Sequence, residues 1–133
     1  SFIHILCLLT FMSAGIVFAQ SPVIEFDQKV QKFKKVKEGT PVEFKFSFTN
    51  VGNAPLVFDK ANTTCECTTV KFPKNPVKPA ERDTVYVSFD TKGKMGYQER
   101  KIELISNGDV RYITFKGVVI ASKETKEAIK SAD

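Results

Sequence analysis

The chain contains 133 residues, of which 42% are hydrophobic and 26% are charged, with 7 Gly and 6 Pro. This is the composition of an ordinary globular protein, so collagen-like, coiled-coil and fully disordered chains are excluded and one domain is expected. Residues 1–19 contain no Asp, Glu, Lys or Arg, so the formal net charge of +5 belongs entirely to the residues that follow.

Residues 1–19 have the pattern of a secretory signal peptide. An apolar run ends in Val17-Phe18-Ala19, so a cut after Ala19 leaves short or branched side chains at positions −3 and −1. The run is slightly short for a membrane span and is interrupted by small and polar residues, which disfavours a retained anchor. An initiator Met and the usual basic residues are missing, so we expect the segment to be clipped at its start. We predict a periplasmic or extracellular protein, attached to a membrane only if the segment is retained.

Cleavage after Ala19 limits the chemistry available to the remaining chain. It removes His4 and Cys7, which leaves no His, no Trp and two cysteines, Cys65 and Cys67. Without histidine there is no Ser-His-Asp or Cys-His pair for nucleophilic catalysis and no histidine-based zinc site. We therefore expect a protein that is not an enzyme and that holds no cofactor.

Residues 20–121 show the alternation of short β-strands separated by turns. Two weak strands are expected first, around Ile24/Phe26 and around Phe33/Val36. The strictest alternation runs over 42–49, with apolar residues at even positions, and Asn50–Asn53 follows with turn chemistry. Further alternations lie at 56–59, 84–89, 101–104 and 113–119. Seven or eight short strands, with turns every 8–12 residues or so, predict an all-β fold, an antiparallel β-sandwich.

Strand parity also predicts which side chains form the core, because a slip of one residue moves every side chain to the other face. Glu43, Lys45 and Tyr86 are expected to be at least partly exposed. Gly117 interrupts the last strand and indicates a bulge or a close contact. The residues expected to be buried are Phe44, Phe46, Phe48, Val85, Val87, Phe89 and Phe115.

The connecting segments carry their own signals. Pro73, Pro76 and Pro79 exclude a central strand and predict an ordered, polyproline-like crossover between the two sheets. Asn107-Gly108 predicts a hairpin. Residues 122–133 contain one sizeable apolar residue, so we expect this polar tail to be a frayed helix or disordered.

Several motifs in a fixed order resemble the bacterial domain-of-unknown-function family 1573. They are, between Pro41 and Ala121, FSFTNVGNAPL at 46–56, CECT at 65–68, PVKP at 76–79, FD at 89–90, GKMG at 93–96, SN at 106–107 and KGV at 116–118. The resemblance implies an immunoglobulin-like sandwich, similar to modules of cilium- and centrosome-associated proteins and distantly to major sperm protein. It also implies an extracytoplasmic setting in bacteria, but no activity, because the family has none that is established.

The chain departs from the family pattern at two positions. Glu66 stands between the cysteines where the family usually has Gly, which puts in doubt a tight turn that needs glycine torsions. Ala80 follows Pro79 where the family usually has Gly, and we expect this to be a tolerated turn variant.

Cys65 and Cys67 are the candidate site residues. In an extended strand, Cα atoms two residues apart are ~6.6 Å from each other and their side chains point the same way without converging. A disulfide requires Cβ atoms ~3.5–4.5 Å apart, so a Cys65–Cys67 bond requires the backbone to leave β geometry. If the strand is continuous, the odd parity of the cysteines opposes that of Val70 and Phe72 and places both sulfurs away from the core.

Four interpretations of the cysteine pair stay open. The two residues form a labile redox disulfide, pack as inert small hydrophobic residues, bind Cu(I), or form disulfides between chains. A structural zinc site needs four ligands, and the cysteines supply two.

Two other patterns favour ordinary explanations. Lysines around Phe33 and Val36 are typical of a protected edge strand, and export argues against a nucleic-acid partner. Asn62-Thr63-Thr64 matches a glycosylation acceptor, which the bacterial resemblance argues against. The lysines are Lys29, Lys32, Lys34, Lys35 and Lys37.

The sequence therefore predicts a secreted or periplasmic module that binds another protein or a cell-envelope component without catalysis, through its loops or a free sheet edge. The alternative is a thiol-based redox or Cu(I)-binding protein that uses Cys65 and Cys67.

Overall fold

The computed structural model describes Gly15 and residues 19–132, so the predicted signal segment lies almost entirely outside the described residues. No helix in the described residues has the length and hydrophobicity needed to cross a membrane. The elements formed within residues 19–132 are β1 (Ile24–Phe26), β2 (Val30–Lys32), β3 (Val36–Lys37), β4 (Val42–Asn50), β5 (Phe58–Asn62), β6 (Thr68–Lys71), β7 (Arg82–Phe89), β8 (Gly96–Ser106), β9 (Arg111–Ile120) and α1 (Lys123–Ser131).

The strands form the two sheets of an immunoglobulin-like sandwich. Sheet A has the order β1-β4-β7-β6 and is antiparallel throughout. Sheet B has the order β2-β9-β8-β5, and β3 also pairs with β9. The prediction of an all-β sandwich is confirmed, with one difference in strand direction. Both β2 and β3 run parallel to β9, because the chain leaves the edge of sheet A after β1 and joins sheet B without a hairpin.

The inner faces of the two sheets form one hydrophobic core, and the parity prediction is confirmed at every position. Phe46, Phe89 and Phe115 are completely buried, whereas Tyr86 is 50% exposed. Glu43 and Lys45 are also exposed. Aromatic rings from both sheets meet at the centre, where Phe115 lies 4.9 Å from Phe44 and 5.0 Å from Phe89 between ring centroids.

Two connections differ from the prediction. The alternation at 56–59 is a single bridge from Leu56 to Val77, followed by β5 with a register shift after Phe58. The proline segment joins β6 to β7, which are neighbours in sheet A, so the prediction that it crosses between the sheets is wrong. Its course is set by Val77, whose side chain is buried and whose backbone exchanges two hydrogen bonds with Leu56.

The remaining signals fit the structure. Gly117 is a close-contact point without a bulge, since the β8–β9 register continues through it and a Cβ there would meet the ring of Phe33. Asn107-Gly108 begins the loop of the β8–β9 hairpin. The tail forms α1, which is capped by Ser122 and tied to the domain by a hydrogen bond from Thr125 Oγ1 to Glu38 Oε2.

Candidate functional site

The two cysteines lie where the chain crosses from sheet B to sheet A. Residues 63–67 leave β5, at one edge of sheet B, and enter β6, at the adjoining edge of sheet A. Cys65 and Cys67 are joined by a disulfide, and their Cα atoms are 5.1 Å apart, closer than in an extended strand. Thr68 N–H donates to the carbonyl of Cys65, which closes a turn directly before β6. Glu66 has no positive φ, so the turn needs no glycine torsions.

The side chain of Cys67 does not lie on a polar face. Both cysteines are half-buried, and Cys67 packs against the hydrophobic core. The parity argument does not apply to Cys67, because it required a continuous strand and the turn at 65–67 breaks the strand. In this oxidised state neither sulfur is a thiolate, the form that binds Cu(I). No group of three or more His, Cys, Asp or Glu side chains suited to a metal ion occurs in the described residues.

The strand that follows the disulfide has a free side, which we call the β6 edge (68–71). A hydrogen bond from Asp90 N to Cys67 O continues the β6–β7 register and fixes which backbone groups face β7. Because these groups alternate in an antiparallel pair, Thr69 and Lys71 bond to β7, and Val70 directs its N–H and C=O away from the sheet. No backbone partner for Val70 on that side is found in the part of the chain that the structure describes.

The other sheet edges are interrupted. Edge strand β5 contains the register shift between Phe58 and Lys60. The opposite edge of sheet B consists of the short strands β2 and β3, and the predicted lysine cluster lies along it. Strand β1 has three residues. Proteins usually discourage edge-to-edge pairing with register shifts, short strands and lysines. The β6 edge contains no register shift.

The exposed face of sheet A next to the β6 edge forms an open groove with a volume of about 590 Å³. One cross-strand row places the ring of Tyr86 between Lys45 and Lys71, because both lysines are register partners of Tyr86. Among the described residues, neither lysine forms an ion pair with a carboxylate. The groove is lined by Glu43, Phe44, Lys45, Thr69, Lys71, Tyr86, Val87 and Ser88.

Sequence reasoning missed the role of Asn50, which it assigned to a turn. Its side chain is completely buried and makes four hydrogen bonds. The amide Nδ2 donates to the carbonyls of Ala54 and Val77, while Oδ1 accepts from the N–H groups of Val23 and Gly52. Asn50 thereby holds three separate segments together at the end of the sandwich opposite the disulfide. Its even position continues the inward parity of β4, and that was the signal that could have found it.

Residues 24–119 match the family described as "Protein of unknown function (DUF1573)". The chain belongs to the DUF1573 family. No curated protein matches this sequence. The family assignment agrees with the motif resemblance, and the family has no known function.

Solved structures similar to this DUF1573 chain show the same fold. A protein of unknown function from Porphyromonas gingivalis W83 aligns with a TM-score of 0.67 at 18% identity, over 80% of this chain and 51% of that one. The chain thus spans about half the length of that protein. A PapD-like domain of human CEP192 has a TM-score of 0.64 at 10% identity, over 86% of this chain and 97% of the other. The Vibrio cholerae protease VesB has a TM-score of 0.55 at 19% identity, over 73% and 31% of the two chains.

Proposed function

We propose that this DUF1573 protein is an exported interaction module that binds another protein or a cell-envelope component without catalysing a reaction. The observation that carries the proposal is the open β6 edge next to the groove on sheet A. A strand edge without a neighbour offers backbone donors and acceptors to a partner. The adjoining groove offers the ring of Tyr86 and two lysines, Lys45 and Lys71, which have no carboxylate partner among the described residues.

The test of binding is site-specific photo-crosslinking in cells that produce the protein naturally. A photoreactive amino acid replaces Tyr86 in the groove, and a matched control replaces Tyr112 on the outer face of sheet B. The two side chains are similarly exposed, at 50% and 45%. We expect a discrete adduct from position 86 and none from position 112. Equal adducts from both positions, or no adduct from position 86, contradict the proposal.

Export is supported by the signal pattern of residues 1–19. We expect the protein in the periplasm or medium to begin at Gln20, and intact-mass measurement of the purified protein checks this. A bulky residue at position −1 blocks cleavage of a signal peptide, so Ala19→Tyr is expected to accumulate as the uncleaved precursor. Recovery of the wild-type chain from the cytoplasm with residues 1–19 intact contradicts export.

A further inference from the structure

The β6 edge has four residues in a continuous register and offers outward-facing backbone groups to another strand. Val70 presents both an N–H and a C=O outward, and the carbonyl of Thr68 faces the same way by the alternation of the ladder. The outward N–H of Thr68 is already used by Cys65. The disulfide turn therefore fixes the position at which an added strand begins to pair, while the sites beyond it stay open.

The inner side of the β6 edge is apolar. Val70 and Phe72 are half-buried and pack against the core from the edge. The ring of Phe72 stacks on Phe58 of sheet B, with 5.4 Å between the ring centroids. A strand added to β6 directs alternate side chains toward this surface, and apolar residues there extend the existing core.

The outer side of the β6 edge is basic at one end. Lys71 is exposed, faces the groove and has no carboxylate partner among the described residues. Cross-strand neighbours of opposite charge stabilise a pair of strands, and like charges destabilise it. Glu66 is exposed at the other end, just before the edge begins, so an acidic side chain is favoured opposite Lys71 and disfavoured near the disulfide.

We infer that the β6 edge binds an extended segment of a partner protein by strand addition, and that this segment alternates apolar residues with polar ones and carries Asp or Glu opposite Lys71. The inference rests on the proposed function and names its partner chemistry. The backbone of Val70 supplies the hydrogen bonds. The surface of Val70 and Phe72 selects the apolar residues, and Lys71 selects the acidic one.

Displayed random ten-residue peptides, selected on the purified oxidised protein, test this inference. Peptides with period-2 apolar residues and an acidic residue at one polar position are expected to be enriched. Val70→Pro removes the outward N–H without touching the bonds to β7, and its affinity for the selected peptides is expected to fall at least tenfold. Val70→Thr keeps the N–H and is the matched control, with affinity within about threefold of the wild type. Lys71→Glu is expected to reverse the preference from acidic to basic peptides.

A second measurement does not depend on the folding of the proline variant. In the wild-type protein, a bound peptide is expected to slow hydrogen exchange at the amide of Val70, whereas the amides of Thr69 and Lys71, already bonded to β7, change little. Selected peptides that bind Val70→Pro as well as the wild type and leave the Val70 amide unprotected overturn strand addition. So does a selection that yields only non-alternating or basic peptides. A Tyr86 crosslink that persists in Val70→Pro also overturns it but leaves the proposed interaction module standing.

Discussion

Phe33 and Gly117 are in direct contact, so that a Cβ on Gly117 would lie 2.5 Å from the nearest ring carbon of Phe33. The contact lies where the chain between β2 and β3 leaves sheet B. There the ring turns into the sandwich, with its centroid 6.1 Å from that of Phe44 and 6.0 Å from that of Phe89. Gly117 does not have a positive φ, so glycine is required for space and not for its torsions.

Gly117→Ala is therefore expected to destabilise the protein by about 1–3 kcal/mol, because the added methyl displaces an aromatic ring from a packed site. Urea unfolding measures the change. The contact predicts non-additivity, so Phe33→Leu is expected to cost less in the Gly117→Ala background than in the wild type. Strictly additive effects of the two substitutions would show that the ring does not oppose the methyl group.

Ala80 is the one non-glycine residue with positive φ in the described residues, at +69°. It occupies the third position of a turn closed by a hydrogen bond from Glu81 N to Lys78 O, with Pro79 at the second position. This is the arrangement of a type II turn, in which the third residue is usually glycine. The expected turn variant is thus tolerated, but at a cost in backbone strain.

Ala80→Gly is expected to raise the free energy of unfolding by about 0.5–1 kcal/mol, since relief of the left-handed torsion exceeds the added flexibility of the unfolded chain. Thermal and urea unfolding both measure it. The matched control is Ala61→Gly in β5, where φ is not positive, and this substitution is expected to destabilise the protein. A destabilising effect of Ala80→Gly contradicts the assigned turn.

The four hydrogen bonds of Asn50 predict a pH-dependent defect in Asn50→Asp. The introduced carboxylate is buried and faces the carbonyls of Ala54 and Val77, so its pKa in the folded state lies above its value in the unfolded chain. At pH values below both pKa values the carboxyl is protonated in the folded and the unfolded protein, so the loss of stability caused by burying its charge is absent. It grows as the pH rises through the unfolded pKa and levels off above the folded pKa.

We therefore expect Asn50→Asp to lose about 3–5 kcal/mol of stability at pH 7 and considerably less near pH 3, measured by urea unfolding at each pH. Asn53→Asp is the control, because Asn53 is exposed and accepts a single hydrogen bond from Ser21 N. An Asn50→Asp penalty that is the same at both pH values argues against a buried, charged group.

Arg82 forms a two-point ion pair with Asp27 on the outer face of sheet A. The hydrogen bonds from the guanidinium hold the pKa of Asp27 below its ordinary value. A carboxyl with a lowered folded pKa adds stability above its unfolded pKa, and that stability is lost as the pH falls through the folded pKa. NMR titration is expected to show the pKa of Asp27 rising in Arg82→Gln and unchanged in Arg111→Gln. Added salt is expected to reduce the shift, because both side chains are more than half exposed.

The two layers of the sandwich and the residues of its core could be predicted from the sequence alone. Strict alternation over 42–49 and 84–89 determines which face is buried, and the neighbouring strands β4 and β7 are paired along that whole length. The sequence left open whether the tail forms a helix. Ser122 caps the helix locally, but Glu38, which accepts a hydrogen bond from Thr125, lies 87 residues away in the chain.

The rest depends on contacts between distant segments, which alternation does not encode. The side-chain amide of Asn50 is bound by residues 4 and 27 positions away, so the parity of position 50 indicates burial but not these hydrogen-bond partners. The path of the proline segment depends on its pairing with Leu56. The position of the cysteines was missed for a local reason, because the turn at 65–67 changes the direction of the side chains just before β6 begins.

The anchoring of Ser21–Val23 has a consequence for the proposed cleavage after Ala19. Ser21 N–H donates to Asn53 Oδ1, Pro22 is buried, and Gly52 lies tightly against the backbone of Ser21–Val23. Only Gln20 separates this anchored segment from the proposed cut after Ala19. In the folded domain a peptidase that cuts after Ala19 would meet this anchored segment one residue beyond the bond, which restricts the extended chain available to it. Under the proposed export we therefore expect cleavage after Ala19 to precede folding of the sandwich, so that a chain that folds first retains residues 1–19.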